Sequence, residues 1–241
     1  MKPDYGLDAP KLVRRLAGRA AVVMAFAVLL YFANRNTNAQ AARTVATLVF
    51  SIGMILAVVA GTMVLSSRVV KLKVIDRMLD SLPWRGDEKV LDVGCGRGAF
   101  LIGAAKRLTT GKATGIDIWQ SHELSNNTAE AALANAKAEG VAGRVKIETA
   151  DARKLPYAAA SFDVVLSSLA IHNIRPREER ATALNEIARV LKPGGYLAIF
   201  DIFNTGEYAK ALEQLDFRDI RLSPMTFLWC VPTRSLTARK A

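Results

Sequence analysis

The sequence predicts an α/β protein: a doubly wound, mainly parallel sheet with helices on both faces, preceded by a two-helix transmembrane hairpin. Three observations carry that expectation. Strand-like and helix-like stretches alternate from Lys89 onward, the pattern of parallel strands joined by crossover helices. A glycine-rich turn, Asp92-Val93-Gly94-Cys95-Gly96-Arg97-Gly98, joins the first strand to the first helix. Residues 44–67 run for 24 positions without a charge, enough to cross a bilayer core about 30 Å thick.

The anchor comes first, at residues 1–68. The chain has 241 residues, 51% of them hydrophobic, and a net charge of +11. That hydrophobicity excludes disorder, and two cysteines exclude a disulfide scaffold. Residues 1–77 hold 11 basic and 3 acidic residues, while 78–241 hold 22 and 19. The basic excess therefore belongs to the anchor and is no nucleic-acid footprint. Apolar helices are expected at about 20–33 and 44–67, with Gly53, Ala57 and Gly61 stacked on one face for close helix packing. The first run is short for a span, although Arg19 can snorkel and Tyr31 can sit at an interface. An interfacial helix and a cleaved signal segment (Ala39-Gln40-Ala41) are its alternatives. Lys2, Lys11, Arg14, Arg15 and Arg19 precede it, only Arg35 and Arg43 occupy the connector, and Arg68, Lys71, Lys73 and Arg77 follow the second run. That asymmetry places both ends, and the globular domain, on the cytoplasmic face of the membrane. Residues 69–83 then read as an amphipathic connecting helix with Val70, Val74, Met78 and Leu82 on one face.

Residues 84–241 form the second unit. Strands are expected at 89–94, 112–117, 144–149, 162–168, 195–202, 216–223 and about 233–239, and helices at 98–108, 128–139, 177–191 and 206–214. Sheets of this kind bind ligands beyond the carboxyl ends of their strands, where the strand order reverses. The glycine turn lies at such an end, and glycine lets backbone approach a ligand with no Cβ in the way. Alone the turn is common to many nucleotide folds, and as Gly94-x-Gly96-x-x-Ala99 it passes for a dinucleotide fingerprint. Asp117 ends the second strand, where a carboxylate can accept from ribose hydroxyls.

Further along come Glu148-Thr149-Ala150-Asp151-Ala152, Leu155-Pro156-Tyr157, Ser161-Phe162-Asp163-Val164-Val165 and Arg189-Val190-Leu191-Lys192-Pro193-Gly194-Gly195. In this order they resemble the class I S-adenosylmethionine-dependent methyltransferases, in the branch of quinone-biosynthesis and other small-molecule enzymes, over residues 84–241. The resemblance implies a Rossmann-like sheet of seven strands with the last antiparallel, a methyl-transferring enzyme, and S-adenosyl-L-methionine as cofactor. It implies Asp92, Gly94, Gly96 and Gly98 around the cofactor's amino-acid end and Asp117 at its ribose. Ile118 and Trp119 would pack the adenine, Asp151 would accept from its amino group with Ala152 beside it, and Ser167 would complete the contacts. Against the family pattern, residues 119–126 form an insertion before the next helix. Asn127 reads as that helix's N-cap, with Glu130 at the capping-box position. Lid, acceptor wall and plain connector all stay open for the insertion.

Methyl transfer from a sulfonium is an in-line displacement that chiefly needs orientation, and a hydroxyl or thiol acceptor also needs a base. His172 is the expected catalytic base, in the segment after the fourth strand that faces the acceptor in related enzymes; Asn173 would hold a polar acceptor, and His122 reads as a surface residue. Met225, Phe227 and Trp229 are expected to wall an apolar acceptor pocket, with core packing as the alternative. Cys95 and Cys230 are not expected to pair, and no metal-ligand spacing is present. The expectation is a membrane-bound methyltransferase for a small, lipophilic acceptor, with no nucleic-acid partner. An RNA or protein methyltransferase, a non-catalytic cofactor-binding protein and a nicotinamide oxidoreductase remain as alternatives. A chain beginning near Leu82 is expected to be soluble and to keep every cofactor motif.

Overall fold

The computed structural model describes residues 2–36, 39–120, 124–228 and 231–241. It opens with α1 (Pro10–Ala33) and α2 (Gln40–Leu65). The basic stretch before Ala20 is helical too, so α1 has 24 residues rather than the 14 of its apolar run. Pro10 starts it, at a position where its missing N–H costs nothing. A π-helical turn (Ser66–Val70) carries α2 into α3 (Lys71–Asp80), giving one 41-residue helix. Both this helix and α1 are long and apolar enough to cross a membrane. Their outer faces leave large apolar side chains uncovered: Val22 and Leu29 are 70% exposed, Leu48 and Ile55 61%.

The buried seam of the hairpin consists of Val13, Ala20 and Ala27 on α1 and Ala46, Gly53 and Ala60 on α2. Small residues there let the backbones approach. A Cβ on Gly53 would lie 2.5 Å from Met24 Cγ and 3.2 Å from the Ala20 carbonyl oxygen. The expected stripe Gly53, Ala57, Gly61 is thereby corrected, since Gly61 faces open space. Each four-residue step rotates about 40° around a helix, whereas seven residues bring the chain back to within about 20°.

The remaining elements are β1 (Lys89–Val93), α4 (Ala99–Arg107), β2 (Lys112–Asp117), α5 (Ala129–Ala138), β3 (Val145–Thr149), β4 (Phe162–Ser168), α6 (Arg177–Val190), β5 (Leu191–Ile202), α7 (Thr205–Gln214), β6 (Phe217–Leu222), β7 (Thr226–Leu228) and β8 (Val231–Lys240). The sheet runs β3-β2-β1-β4-β5-β8-β6, with β7 pairing β8 off the path. The first five strands are parallel, and the last inserts antiparallel between β5 and β6. Thus the seven expected strands are present, and short β7 is an addition. Alternate residues of β1 feed two cores: Val90 joins the layer under α3 and α4, Leu91 and Val93 the layer under α6 and α7. Helix α3 belongs to the first layer through Ile75, Met78 and Leu79, joined by Leu82. Of the expected face, Met78 and Leu82 are buried there and Val74 packs against them, whereas Val70, in the π-helical turn, is 39% exposed. Strand order reverses between β1 and β4, so a crevice opens at their carboxyl ends.

Candidate active site

A cavity of about 270 Å³ occupies that crevice. Its floor is the turn after β1, where Gly94 (φ +71°) and Gly96 (φ +51°) take left-handed conformations. The Gly94 and Cys95 amides both donate to the Ile116 carbonyl at 2.9 Å. A Cβ on Gly94 would lie 2.2 Å from that of Ala170, so only glycine lets this turn close on the segment after β4.

Asp117 clamps the turn to the insertion. Its Oδ2 accepts from the Gly96 amide at 2.8 Å, and its Oδ1 from the Trp119 amide at 2.6 Å and Asn127 Nδ2 at 3.3 Å. Asn127 is therefore not the cap of α5. Its buried amide serves Asp117, and Thr128 caps the helix by accepting from the Ala131 amide at 3.2 Å. Behind the turn, Asp92 is only 1% exposed, and neither carboxylate oxygen has a partner. Burial, reinforced by the charge of Asp117, pushes its pKa up to about 8. Arg97 is 9% exposed with its Nε unpartnered. An orphan carboxylate and an orphan guanidinium nitrogen in one wall suit the two ends of an amino-acid zwitterion. The residues present therefore fit the amino-acid portion of S-adenosylmethionine.

Asp92, Gly94, Gly96, Asp117, Ile118, Asp151 and Ala152 all line the cavity. Asp151 is already held by Arg153, whose guanidinium bonds both its oxygens, the closest at 2.6 Å, and keeps it below the usual carboxylate range. Four other expected contacts are not in the lining. Gly98 caps α4 in a left-handed conformation. The Trp119 indole turns to β3 and donates to Thr149 Oγ1 at 2.8 Å. Ser167 is fully buried and ties β4 to β1 through the Val93 carbonyl at 2.9 Å. His172 turns to Asp201: Nδ1 lies 2.5 Å from Oδ1, and the His172 amide donates to Oδ2 at 3.0 Å. Tyr208 also donates to Asp201, at 3.2 Å.

Beside His172, Ile171 and Asn173 do face the cavity, and Leu169 and Ile174 add apolar wall. The expected wall is corrected: Met225 and Phe227 are 52% and 65% exposed and lie outside the lining, because β7 pairs at the outer side of β8. Trp229, Cys230 and the insertion's Ser121, His122 and Glu123 lie outside the described residues. Tyr5, Lys71 and Arg97 line the cavity without having been singled out. Only the buried charge of Lys71 could have flagged it, and burial is not visible in a sequence.

Residues 91–199 match the family described as a methyltransferase domain. Over those residues the chain is similar to S-adenosylmethionine-dependent methyltransferases, and its sheet has the fold of such enzymes. The chain is 39% identical over 129 residues to the 27-O-demethylrifamycin SV methyltransferase of Amycolatopsis mediterranei (strain S699), covering 52% of this chain and 43% of that protein. It is 36% identical over 127 residues to the ubiquinone/menaquinone biosynthesis C-methyltransferase UbiE of Roseobacter denitrificans (strain ATCC 33942 / OCh 114), covering 52% and 47%. The chain thus spans about half the length of the curated relatives it matches. Among solved structures, the geranyl diphosphate C-methyltransferase of Streptomyces coelicolor A3(2) superposes with a TM-score of 0.56 at 12% identity, over 70% of this chain and 80% of that one. That methyltransferase was crystallised with S-adenosyl-L-homocysteine; at this identity the likeness is one of fold.

Proposed function

We propose that the chain is a membrane-anchored S-adenosylmethionine-dependent methyltransferase that modifies a small, lipophilic acceptor at the cytoplasmic membrane face. The observation that carries the chemistry is the cavity at the strand-order reversal, with Asp92 unpartnered behind the glycine turn. Asp92 and Arg97 hold the amino-acid end of the cofactor, Asp117 its ribose, and Ile118, Asp151 and Ala152 its base. Bound there, the cofactor supplies an electrophilic methyl group on a sulfonium.

The chain's own task is then to orient the acceptor and exclude water. Leu169, Ile171 and Ile174 supply apolar walls, and Asn173 a hydrogen-bonding group. For a hydroxyl or thiol acceptor, the candidate base is His172, which stands beside the cavity lining between Ile171 and Asn173 and has Nε2 left to take the proton because Nδ1 is committed to Asp201. The buried Asp201 carboxylate stabilises the imidazolium so formed. The uncovered apolar faces of α1 and α2 support the anchor. Membrane placement concentrates an acceptor that partitions into lipid.

The test is transfer of labelled methyl groups by the full chain, in detergent and in vesicles, to homologous series of phenols, quinols, thiols and amines. Within the reactive class, kcat/KM should rise along the series by up to about 0.8 kcal/mol per buried methylene. Equal rates along every series would exclude a lipophilic acceptor.

A further inference from the structure

The residues that precede α1 are built into the cavity wall. Asp4 exchanges hydrogen bonds with Asn135 of α5, its amide donating to Oδ1 and its carbonyl accepting from Nδ2, both at 2.8 Å. Tyr5 donates to Glu139 Oε1 at 3.0 Å. The Leu7 amide donates to Ser125 Oγ at 2.8 Å, and the Ser125 amide returns to the Leu7 carbonyl at 3.1 Å. Asp8 then joins the base of the hairpin: its amide donates to Ser67 Oγ at 3.2 Å, and both its carboxylate oxygens accept from Lys71 Nζ, at 2.7 and 2.9 Å. Residues 4–8 thus form a strap fastened at one end to α5, at its middle to the insertion, and at the other end to the helix leaving the anchor.

This strap meets the cavity at its charged end. Tyr5 and Lys71 line it, together with Leu124 of the insertion. Arg97, also in the lining, is held by Asp4 Oδ2 at 3.1 Å and by the Ser125 carbonyl at 3.2 Å, which leaves its buried Nε with a proton and no acceptor. The Lys71 and Asp8 side chains are only 6% and 16% exposed, so this ion pair is largely shielded from water. Removing one partner from such a pair strands the other.

We propose that residues 4–8 and Lys71 are part of the cofactor site: the strap closes over the amino-acid end of the cofactor and sets Arg97 to donate from Nε to its carboxylate. The proposal rests on reading the cavity as an S-adenosylmethionine site. Its consequence is that the anchor acts on more than location. The same Asp8–Lys71 contact that seats the strap is made by the helix leaving the hairpin, so disturbing the base of the hairpin loosens the cofactor.

The test uses the full chain in detergent with S-adenosylhomocysteine as probe, reading affinity by calorimetry and dissociation by stopped flow. Gly6→Val is the sharpest variant. Gly6 sits at φ +79°, and a Cβ there would lie 2.9 Å from Leu124 Cδ1 and 3.0 Å from Arg97 Cδ, so a branched side chain lifts the strap and leaves the domain core untouched. Deletion of residues 2–8 and Lys71→Met complete the set. Each should weaken binding at least tenfold and speed dissociation by a similar factor. In the unaltered chain, saturation with the probe should slow hydrogen exchange at the Leu7 and Ser125 amides. If the unaltered chain binds tightly while Gly6→Val and the deletion bind and release as it does, the strap is overturned and the cavity reading stands. If the unaltered chain does not bind the probe, the cavity reading falls and the strap with it.

Discussion

Asp92 holds a carboxyl where water cannot help it ionise. Its folded pKa, about 8, lies above the ordinary value of 3.8, and the sign of the linkage follows. Below about pH 4 the group is neutral in both states and costs nothing. As pH rises from there through 8, the unfolded chain ionises freely while the folded one cannot, so stability falls. Asp92→Asn should therefore raise the melting temperature of the ligand-free protein at pH 8 and leave it nearly unchanged at pH 4. The same substitution should weaken S-adenosylhomocysteine at least tenfold. In the unaltered protein, binding an ammonium group expels the Asp92 proton, so affinity should climb between pH 6 and 8, by up to about tenfold per unit. Calorimetry across that range checks it, and a flat profile would place the ammonium elsewhere. His172 calls for a different readout. With a hydroxyl acceptor, His172→Ala should lower kcat by about 10²-fold or more and change KM little. A change in KM alone would reduce the ring to pinning the turn that carries Ile171 and Asn173.

Between α1 and α2, the contact is decided by the smallest side chains. Gly53→Leu forces a branched side chain where even a Cβ is only 2.5 Å from Met24 Cγ. Cysteines introduced at Ala27 and Ala46, one heptad along each helix from the Ala20 and Gly53 contact, should cross-link readily in the parent and poorly in Gly53→Leu. Gly61→Leu, facing open space, is the control that should change nothing. Strand and helix positions in the domain were legible to within a few residues, because alternating burial writes itself into composition. The cap of α5 was not legible. Asn127 and Thr128 are both capping residues, and the choice between them was made by Asp117, which claims the Asn127 side chain.

Across the whole molecule, the connecting helix α3 packs as part of the domain's own core. A chain beginning at Leu82 lacks Ile75, Met78 and Leu79, all at least 95% buried in the domain's first core layer. Emptying such sites costs about 2–5 kcal/mol per large apolar side chain, comparable in sum to the stability of a typical domain. That chain should aggregate or melt far below the parent in a thermal scan, and a cooperative transition at the parent's temperature would show α3 to be dispensable. What the sequence by itself determined is what short stretches encode: two apolar runs, an alternation of strands and helices, and a glycine turn with its acidic partners. Tertiary structure alone decided which glycine lies in the hairpin seam, that the His172 ring is drawn to Asp201, and that residues 4–8 wall the cavity. Each of these depends on partners distant along the chain, as with Leu7 and Ser125, 118 residues apart. Periodicity and spacing report how a segment relates to its own neighbours, whereas packing determines which remote segment it meets.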